Sequence, residues 1–308
     1  GAITKNQEGT ELNDFSALKN EPTGGICGLS EDGKSVMDSA LMKEALEKAK
    51  MGGLFISSHC EDKSLFVGGA LNDGEVSKAL GIKGIPTATE DIITIRDIIL
   101  AQYTGCHLHL CHVSTKNAVE FIRWAKEKNV NITAETCPHY FTFTDKNVII
   151  NGRADTGFKM NPPLRSEEDR CAIESAVIDG TIDAIVTDHA PHSNEEKQRD
   201  FAKAPFGVVG LETSLAASYT ALCRTGLITP LRLIELMSLN PAKILGIKHG
   251  SLEKGEKADI TIFDPNREFT VDSSRFKSKG RYTPFNGKKL FGEIVFTIKN
   301  GKIIYERS

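Results

Sequence analysis

The stretch Thr187-Asp188-His189-Ala190-Pro191-His192 decides the fold prediction, because it places reactive side chains directly after an apolar run. That run, Ile182-Asp183-Ala184-Ile185-Val186, is typical of a short strand buried in a parallel sheet. In parallel α/β folds, the carboxyl ends of the strands carry the chemistry. We therefore expect Asp188 and His192 to lie at a reactive edge of a sheet.

Two further strings place histidines after apolar runs, namely Ser58-His59-Cys60-Glu61-Asp62 and Cys111-His112-Val113-Ser114-Thr115. Packing alone does not explain polar residues at the ends of three separate strands. Imidazole and carboxylate groups are zinc ligands, and a catalytic zinc site keeps one position open. We therefore predict a metal site where these strands end, formed by His59, His112 and Asp188. Asp32, in a loop after the first predicted strand, is a fourth candidate ligand.

Apolar runs alternate with helical patterns over the first three-quarters of the chain, which indicates βα units and a parallel sheet. Gly52-Gly53 ends one helical pattern, and Thr87-Ala88-Thr89-Glu90 predicts a capping box at the start of another. The five predicted strands lie near residues 24–29, 54–57, 107–111, 130–136 and 182–187.

The pattern becomes β-rich after Gly250, with predicted strands near 260–263, 293–298 and 302–305. Asn300-Gly301 between the last two indicates a hairpin. We therefore predict two domains, a partial (β/α) barrel over residues 1–248 and a small β domain over 249–308.

Composition narrows the class of protein. The chain has 308 residues, a formal net charge of −3 and 40% hydrophobic residues, without the basic excess of a nucleic-acid-binding protein. No apolar run approaches the length that spans a bilayer, and we expect no membrane partner. Seven cysteines without a C-x-x-C pair favour reduced thiols and a cytoplasmic location.

Strand alternation assigns secondary roles to other histidines. If His112 faces the mouth of the barrel, His107 and His109 face the surrounding helices and are structural. His189 directly follows Asp188 and should point away from the site. His139 ends a predicted strand and is a weaker candidate for the site.

Two loops are candidate substrate contacts. In residues 159–165, prolines fix the polar side chain of Asn161, although a simple tight turn explains this pattern equally well. In residues 206–210, glycines would let the backbone at Phe206 and Gly207 approach a ligand. This second loop lacks the pattern of a phosphate-binding loop.

Together these strings resemble the amidohydrolase superfamily, and within it the bacterial type I dihydroorotases. The resemblance covers nearly the whole chain and is most specific around Asp188 and Asn161. It implies a (β/α)8 metal-dependent hydrolase barrel that reversibly cyclises N-carbamoyl-L-aspartate to L-dihydroorotate in de novo pyrimidine biosynthesis. It also implies that the small C-terminal β domain is half of a composite β-sandwich. Other matching strings are residues 30–33, 58–62, 111–115, 134–139, 206–212, 240–246 and 255–260.

The resemblance also implies roles for individual residues. One or two zinc ions activate a hydroxide, and Asp188 acts as the general acid and base. The implied metal ligands are Asp32, His59, His112 and Asp188. The implied substrate contacts are Asn161, His192 and the backbone at Phe206 and Gly207.

The chain departs from this family in its strand count. A (β/α)8 barrel needs eight strands, whereas we predict about five, and the family's His-x-His strand has no counterpart. We therefore expect an incomplete barrel: a fragment of a longer chain, or one lacking a separately supplied N-terminal segment, with low activity alone. Glu31 beside Asp32 leaves open which carboxylate contacts the metal.

Two alternative functions remain. One is another cyclic amidohydrolase, a hydantoinase or allantoinase, although the carboxylated lysine typical of those enzymes has no match between Gly24 and Asp32. The other is a non-catalytic dihydroorotase-like partner of aspartate transcarbamoylase. The expected partners are a small-molecule substrate and a second copy in a homodimer, with no nucleic acid.

Overall fold

The computed structural model describes residues 1–20 and 25–307 of the chain. The strands are β1 Gly28–Ser30, β2 Phe55–Ser58, β3 Leu71–Asn72, β4 Gly84–Ile85, β5 Leu108–Leu110, β6 Ile132–Thr136, β7 Ile149–Ile150, β8 Arg153–Ala154, β9 Ala184–Ile185, β10 Ile260–Thr270, β11 Lys289–Lys299 and β12 Lys302–Glu306. The α-helices are α1 Phe15–Lys19, α2 Ser39–Met51, α3 Lys63–Phe66, α4 Glu75–Leu80, α5 Ala88–Thr104, α6 Lys116–Glu127, α7 Pro138–Thr142, α8 Glu167–Asp179, α9 Asn194–Lys197, α10 Ser214–Ser218, α11 Pro230–Ile234 and α12 Asn240–Leu245.

Five strands of the described part form one sheet in the order β1-β2-β5-β6-β9, and every neighbouring pair is parallel. This confirms the predicted five-stranded parallel sheet. The first strand occupies Gly28–Ser30, whereas the prediction began at Gly24, which lies outside the described residues. Because all five strands run in one direction, their carboxyl ends share one edge.

The main core lies between this sheet and the helices that connect its strands. Leu108 and Ala134 of the sheet are fully buried, as are Ile98 of α5 and Ile122 of α6. The buried residues of α6 recur on one face because their spacing follows the helical period. Burying one such side chain contributes about 1.5–3 kcal/mol, so this layer holds the strand ends in place.

The predicted capping box at residues 87–90 is wrong. Thr87 has helical dihedral angles (φ −60°, ψ −33°) and its side chain makes no capping hydrogen bond. Glu90 instead accepts hydrogen bonds from the loop that follows β5. The sequence pattern misled because a buried carboxylate can satisfy donors of a distant loop as well as those of its own helix.

Residues 260–306 form an antiparallel sheet in the order β10-β11-β12, which confirms the β-rich tail. Asn300 and Gly301 both have positive φ (49° and 75°), as a type I′ hairpin turn requires. The Tyr219 and Phe263 rings pack 5.5 Å apart and join this sheet to the preceding helical region. The domain division at 248/249 stays a prediction.

In the described ranges, no helix combines the length and apolarity needed to cross a membrane.

The two faces of α5 provide a test of the core. Ile98→Ala should lower the free energy of unfolding by about 3 kcal/mol, because it leaves a cavity at a fully buried position. Ile99→Ala, at a position 51% exposed, should change it by less than about 0.5 kcal/mol. Urea unfolding of both variants makes the comparison, and equal losses would contradict the described orientation of α5.

Candidate active site

The carboxyl edge of the sheet brings two predicted metal ligands into direct contact. His59 follows β2 and His112 follows β5, and both are buried. Nδ1 of His59 lies 2.9 Å from Nε2 of His112, and the two rings meet edge to face. Residues distant in sequence therefore meet because the carboxyl ends of β2 and β5 are adjacent in the sheet.

Each of these imidazoles keeps one buried nitrogen without a hydrogen-bond partner among the described residues, Nε2 on His59 and Nδ1 on His112. Burial lowers the pKa of His112 well below its ordinary value, and the neighbouring His59 lowers it further. A neutral imidazole can coordinate a metal through a free nitrogen. Unpaired buried polar atoms cost stability, and these two nitrogens are free to bind a ligand.

Asp188 lies after β9 at the same edge. Burial raises its pKa to about 6, His59 opposes this shift, and the carboxylates of Asp32 and Glu135 add to it. Asp188 and His112 both have positive φ (44° and 36°), which costs a non-glycine residue of order 1–3 kcal/mol. Such strain clusters at functional sites, where surrounding structure enforces the position of a side chain.

The structure distinguishes the two neighbouring carboxylates of the loop after β1, Glu31 and Asp32. The sequence left open which of them contacts the metal. Glu31 is buried and accepts hydrogen bonds from the backbone N–H and the hydroxyl of Thr4. Asp32 is exposed, and its charge acts on Asp188 and on Cys111. Asp32 is therefore the carboxylate available to a ligand, while Glu31 anchors the loop.

The donor types at this edge fit a zinc ion, although their arrangement is not a closed coordination sphere. Within the described ranges, no three His, Cys, Asp or Glu side chains are grouped so that they could hold a metal ion. The two unpaired imidazole nitrogens and the nearby carboxylates of Asp188 and Asp32 are nevertheless the ligand set that zinc accepts. The chemistry of the donors fits, and their closure around an ion stays a prediction.

Asn161 reaches the histidine pair through Glu61. Its Nδ2 donates a hydrogen bond to Oε2 of Glu61, and that oxygen lies 3.9 Å from Nε2 of His59. Sequence reasoning assigned no role to Glu61, although it lies two positions after His59 in the quoted string. The structure thus brings a predicted substrate contact beside a predicted metal ligand.

His192, Phe206 and Gly207, the other predicted substrate contacts, lie next to one another. Nε2 of His192 lies 2.8 Å from the carbonyl oxygen of Phe206. The backbone N–H of Gly207 donates to the carbonyl of Lys159, which joins this loop to the Asn161 segment. Since these backbone groups are already paired within the protein, their contact with a substrate stays a prediction.

A buried ionic network beneath the site escaped the sequence reasoning. Glu90 accepts hydrogen bonds from the backbone N–H groups of Ser114 (2.8 Å) and Thr115 (3.3 Å), and it lies 3.8 Å from the guanidinium of Arg165. Burial raises the pKa of Glu90, while Arg165 opposes that shift. One carboxylate therefore fixes the loop after His112 and the end of the Asn161 segment together.

The expectation that His107 and His109 face the helices is wrong. Both rings lie near Phe55, which is buried but does not belong to the main core between sheet and helices. His109 also contacts Glu135 at 2.9 Å, and Glu135 acts on Asp188. Strand alternation could not be extended from His112, because its positive φ interrupts the extended backbone.

Comparison with known proteins identifies the family. The amidohydrolase family profile matches residues 13–304 of the chain. The chain belongs to the amidohydrolase family. A protein of Pelotomaculum thermopropionicum named dihydroorotase is 47% identical over 306 residues, covering 99% of this chain and 70% of its own length. Another protein named dihydroorotase, from Caldanaerobacter subterraneus subsp. tengcongensis, is 46% identical over 308 residues. That match covers 100% of this chain and 70% of the relative.

Among solved structures, the dihydropyrimidinase from Brevibacillus agri superposes with a TM-score of 0.82 at 25% sequence identity. This match covers 95% of the chain and 66% of the dihydropyrimidinase, just under two thirds. The predicted family and fold class are therefore confirmed, and the chain spans about 70% of the length of its curated relatives.

Gly207→Ala should destabilise the protein and disturb the contact between His192 and Phe206. Gly207 has φ +127°, and an added Cβ would lie 2.6 Å from the carbonyl oxygen of Ala190. Gly226→Ala is the matched control, because Gly226 also has positive φ (+77°) but no atom within 4 Å of an added Cβ. Urea unfolding should show the larger loss for Gly207→Ala; equal losses would contradict the described packing.

The buried His139 predicts a loss of stability in acid. Burial lowers its pKa to about 3, whereas an unfolded histidine has a pKa of about 6.5. The unfolded chain therefore binds one more proton between these values, and the free energy of unfolding falls as pH falls through this window. His139→Gln should reduce the slope of the free energy of unfolding against pH by at most about 1.4 kcal/mol per pH unit. The exposed His249→Gln should leave it unchanged, and an unchanged slope in His139→Gln would contradict the argument.

Proposed function

We propose that this protein is a dihydroorotase, which interconverts N-carbamoyl-L-aspartate and L-dihydroorotate. The relatives named dihydroorotase support this substrate, since their identity of 46–47% extends over nearly the whole chain. The observation that carries the proposal is the pair of buried imidazoles with unpaired nitrogens, which lies at the same strand edge as Asp188. Such a site suits hydrolysis of a cyclic amide.

Asp32, His59, His112 and Asp188 are the residues that would hold zinc, as one or two ions. A bound zinc ion would supply Lewis acidity and lower the pKa of a water molecule. The positive φ of His112 and Asp188 is a strained backbone conformation, which the surrounding structure has to enforce. The buried positions of His59 and His112 exclude competing solvent from their free nitrogens.

Asp188 moves the proton in the proposed reaction. In ring opening its carboxylate takes a proton from the attacking water and passes it to the leaving ring nitrogen. In cyclisation the same group works in reverse, as microscopic reversibility requires. A carboxylate at this strand edge can act as a base in one direction and, once protonated, as an acid in the other.

Asn161 and His192 would orient the substrate through hydrogen bonds to its carboxylate and ring polar groups. Glu61 holds the Asn161 side chain, and the Phe206 carbonyl holds His192, so both polar groups are preorganised. Preorganised contacts lower the entropy cost of reaching the reactive geometry. The Phe206–Gly207 backbone would close the pocket on that side.

A hydantoinase or dihydropyrimidinase is the second candidate function, because the fold matches such enzymes closely. The substrates differ in charge, since dihydroorotate carries a carboxylate that dihydrouracil lacks. The non-catalytic scaffold is disfavoured, because it would not need Asp188, His59 and His112. A homodimer, an aspartate transcarbamoylase partner and a cytoplasmic location remain part of the proposal; the seven free cysteines support a reducing compartment.

Asp188→Asn in the full-length protein should lower kcat for both directions by about 10²–10⁴-fold, because general acid–base transfer is lost. Asp200→Asn, at an exposed position, is the matched control and should behave like the wild type. Ring opening and cyclisation are measured with zinc added. Hydrolysis of hydantoin, allantoin and dihydrouracil is measured in parallel. Turnover of a neutral cyclic amide without turnover of dihydroorotate would overturn the proposed substrate.

A further inference from the structure

Lys159 and Lys197 are almost completely buried, at 2% and 1% exposure. Lysine side chains are rarely buried so fully unless a carboxylate pairs with them. Here the hydrogen-bond acceptors of both ammonium groups, in the part of the chain that the structure describes, are backbone carbonyls. Two positive charges therefore lie close together inside the protein without a bonded counter-ion.

These two lysines hold the loop that carries Phe206 and Gly207. Nζ of Lys159 donates to the carbonyls of Phe201 and Ala204 and lies 4.6 Å from the centre of the Phe206 ring. Nζ of Lys197 donates to the carbonyls of Gly207 (2.8 Å) and Lys159 (3.2 Å). The pair thus joins the segment before Asn161 to the loop of Phe206 and Gly207.

The charges carry an energetic cost. Burial lowers the pKa of both lysines to about 8, and for Lys197 the charge of Lys159 contributes as well. Asp155 opposes the shift of Lys197. At neutral pH both amines remain mainly protonated, since this pKa still lies above 7. A buried charge is poorly screened, so its field reaches farther than that of a surface lysine.

We propose that Lys159 and Lys197 form a buried positive centre behind the predicted substrate-binding loop of Phe206 and Gly207, which favours substrates that carry carboxylates over neutral cyclic amides. The inference deepens the proposed function and rests on it. The lysines need not contact the substrate, because they lie directly behind the loop of Phe206 and Gly207 and act through their charge. They are specificity-determining residues rather than catalytic residues.

The test compares ligands that differ in charge. Lys159→Met and Lys197→Met remove one charge each while keeping an unbranched apolar side chain. The matched control is Lys203→Met, an exposed lysine of the same loop. For each full-length variant, KM and kcat are measured with N-carbamoyl-L-aspartate, which has two carboxylates, and with L-dihydroorotate, which has one. The inhibition constant of dihydrouracil reports on a neutral ligand.

We expect each Met variant to raise KM about tenfold for carbamoyl-aspartate and about threefold for dihydroorotate, as a Coulomb interaction with ligand charge requires. Any loosening of the loop should raise the inhibition constant of dihydrouracil by the same factor as both KM values, so these increases are taken relative to that constant; Lys203→Met should match the wild type throughout. Equal losses for charged and neutral ligands would mean that the lysines only hold the loop, which would overturn the inference.

Folding of each variant is checked by circular dichroism and thermal unfolding. If the Met variants do not fold, Lys159→Gln and Lys197→Gln repeat the comparison, because glutamine is neutral but can still donate to the carbonyls. Gln variants that also fail to fold would assign the lysines to stability alone and overturn the inference. A wild-type protein inactive on both charged substrates would instead refute the proposed function.

Discussion

Parallel pairing of β1, β2, β5, β6 and β9 is the constraint on which the rest of the structure depends. It sends every chain segment that follows a strand to the same edge of the sheet. His59 and His112, separated by 53 positions, therefore meet at 2.9 Å, and Asp188 lies where His59 acts on its pKa. If one strand ran in the opposite direction, its candidate ligand would leave at the far edge and the site would not exist.

The loops at this edge are held by buried polar groups in addition to the apolar core. Glu90 binds backbone N–H groups after His112 and pairs with Arg165, while Lys159 and Lys197 bind carbonyls around Phe206 and Gly207. Burying charged groups in this way costs free energy, even where hydrogen bonds satisfy them. The protein bears this cost where the positions of candidate catalytic and substrate-binding groups are set.

The sequence predicted the parts of the fold that depend on local pattern. Apolar runs and helical spacing identified the five parallel strands, and Asn300-Gly301 identified the hairpin of the tail. It failed where a side chain serves a distant partner: Glu90 fitted a local capping box, yet it bonds to Ser114 and Thr115. It also failed at His107 and His109, because the positive φ of His112 interrupts strand alternation and cannot be seen in the residue types. The candidate ligands were proposed from their places after strands, but the unpaired nitrogens of His59 and His112 required coordinates.

The central claim is that His59, His112 and Asp188 bind one zinc centre at the carboxyl edge of the sheet. Anomalous diffraction at the zinc edge, from crystals of the full-length protein grown with zinc, measures this most directly. The account predicts a peak about 2.0–2.2 Å from a ring nitrogen of each histidine and from an oxygen of Asp188. Zinc peaks elsewhere, with the two imidazoles still bonded to each other, would contradict it.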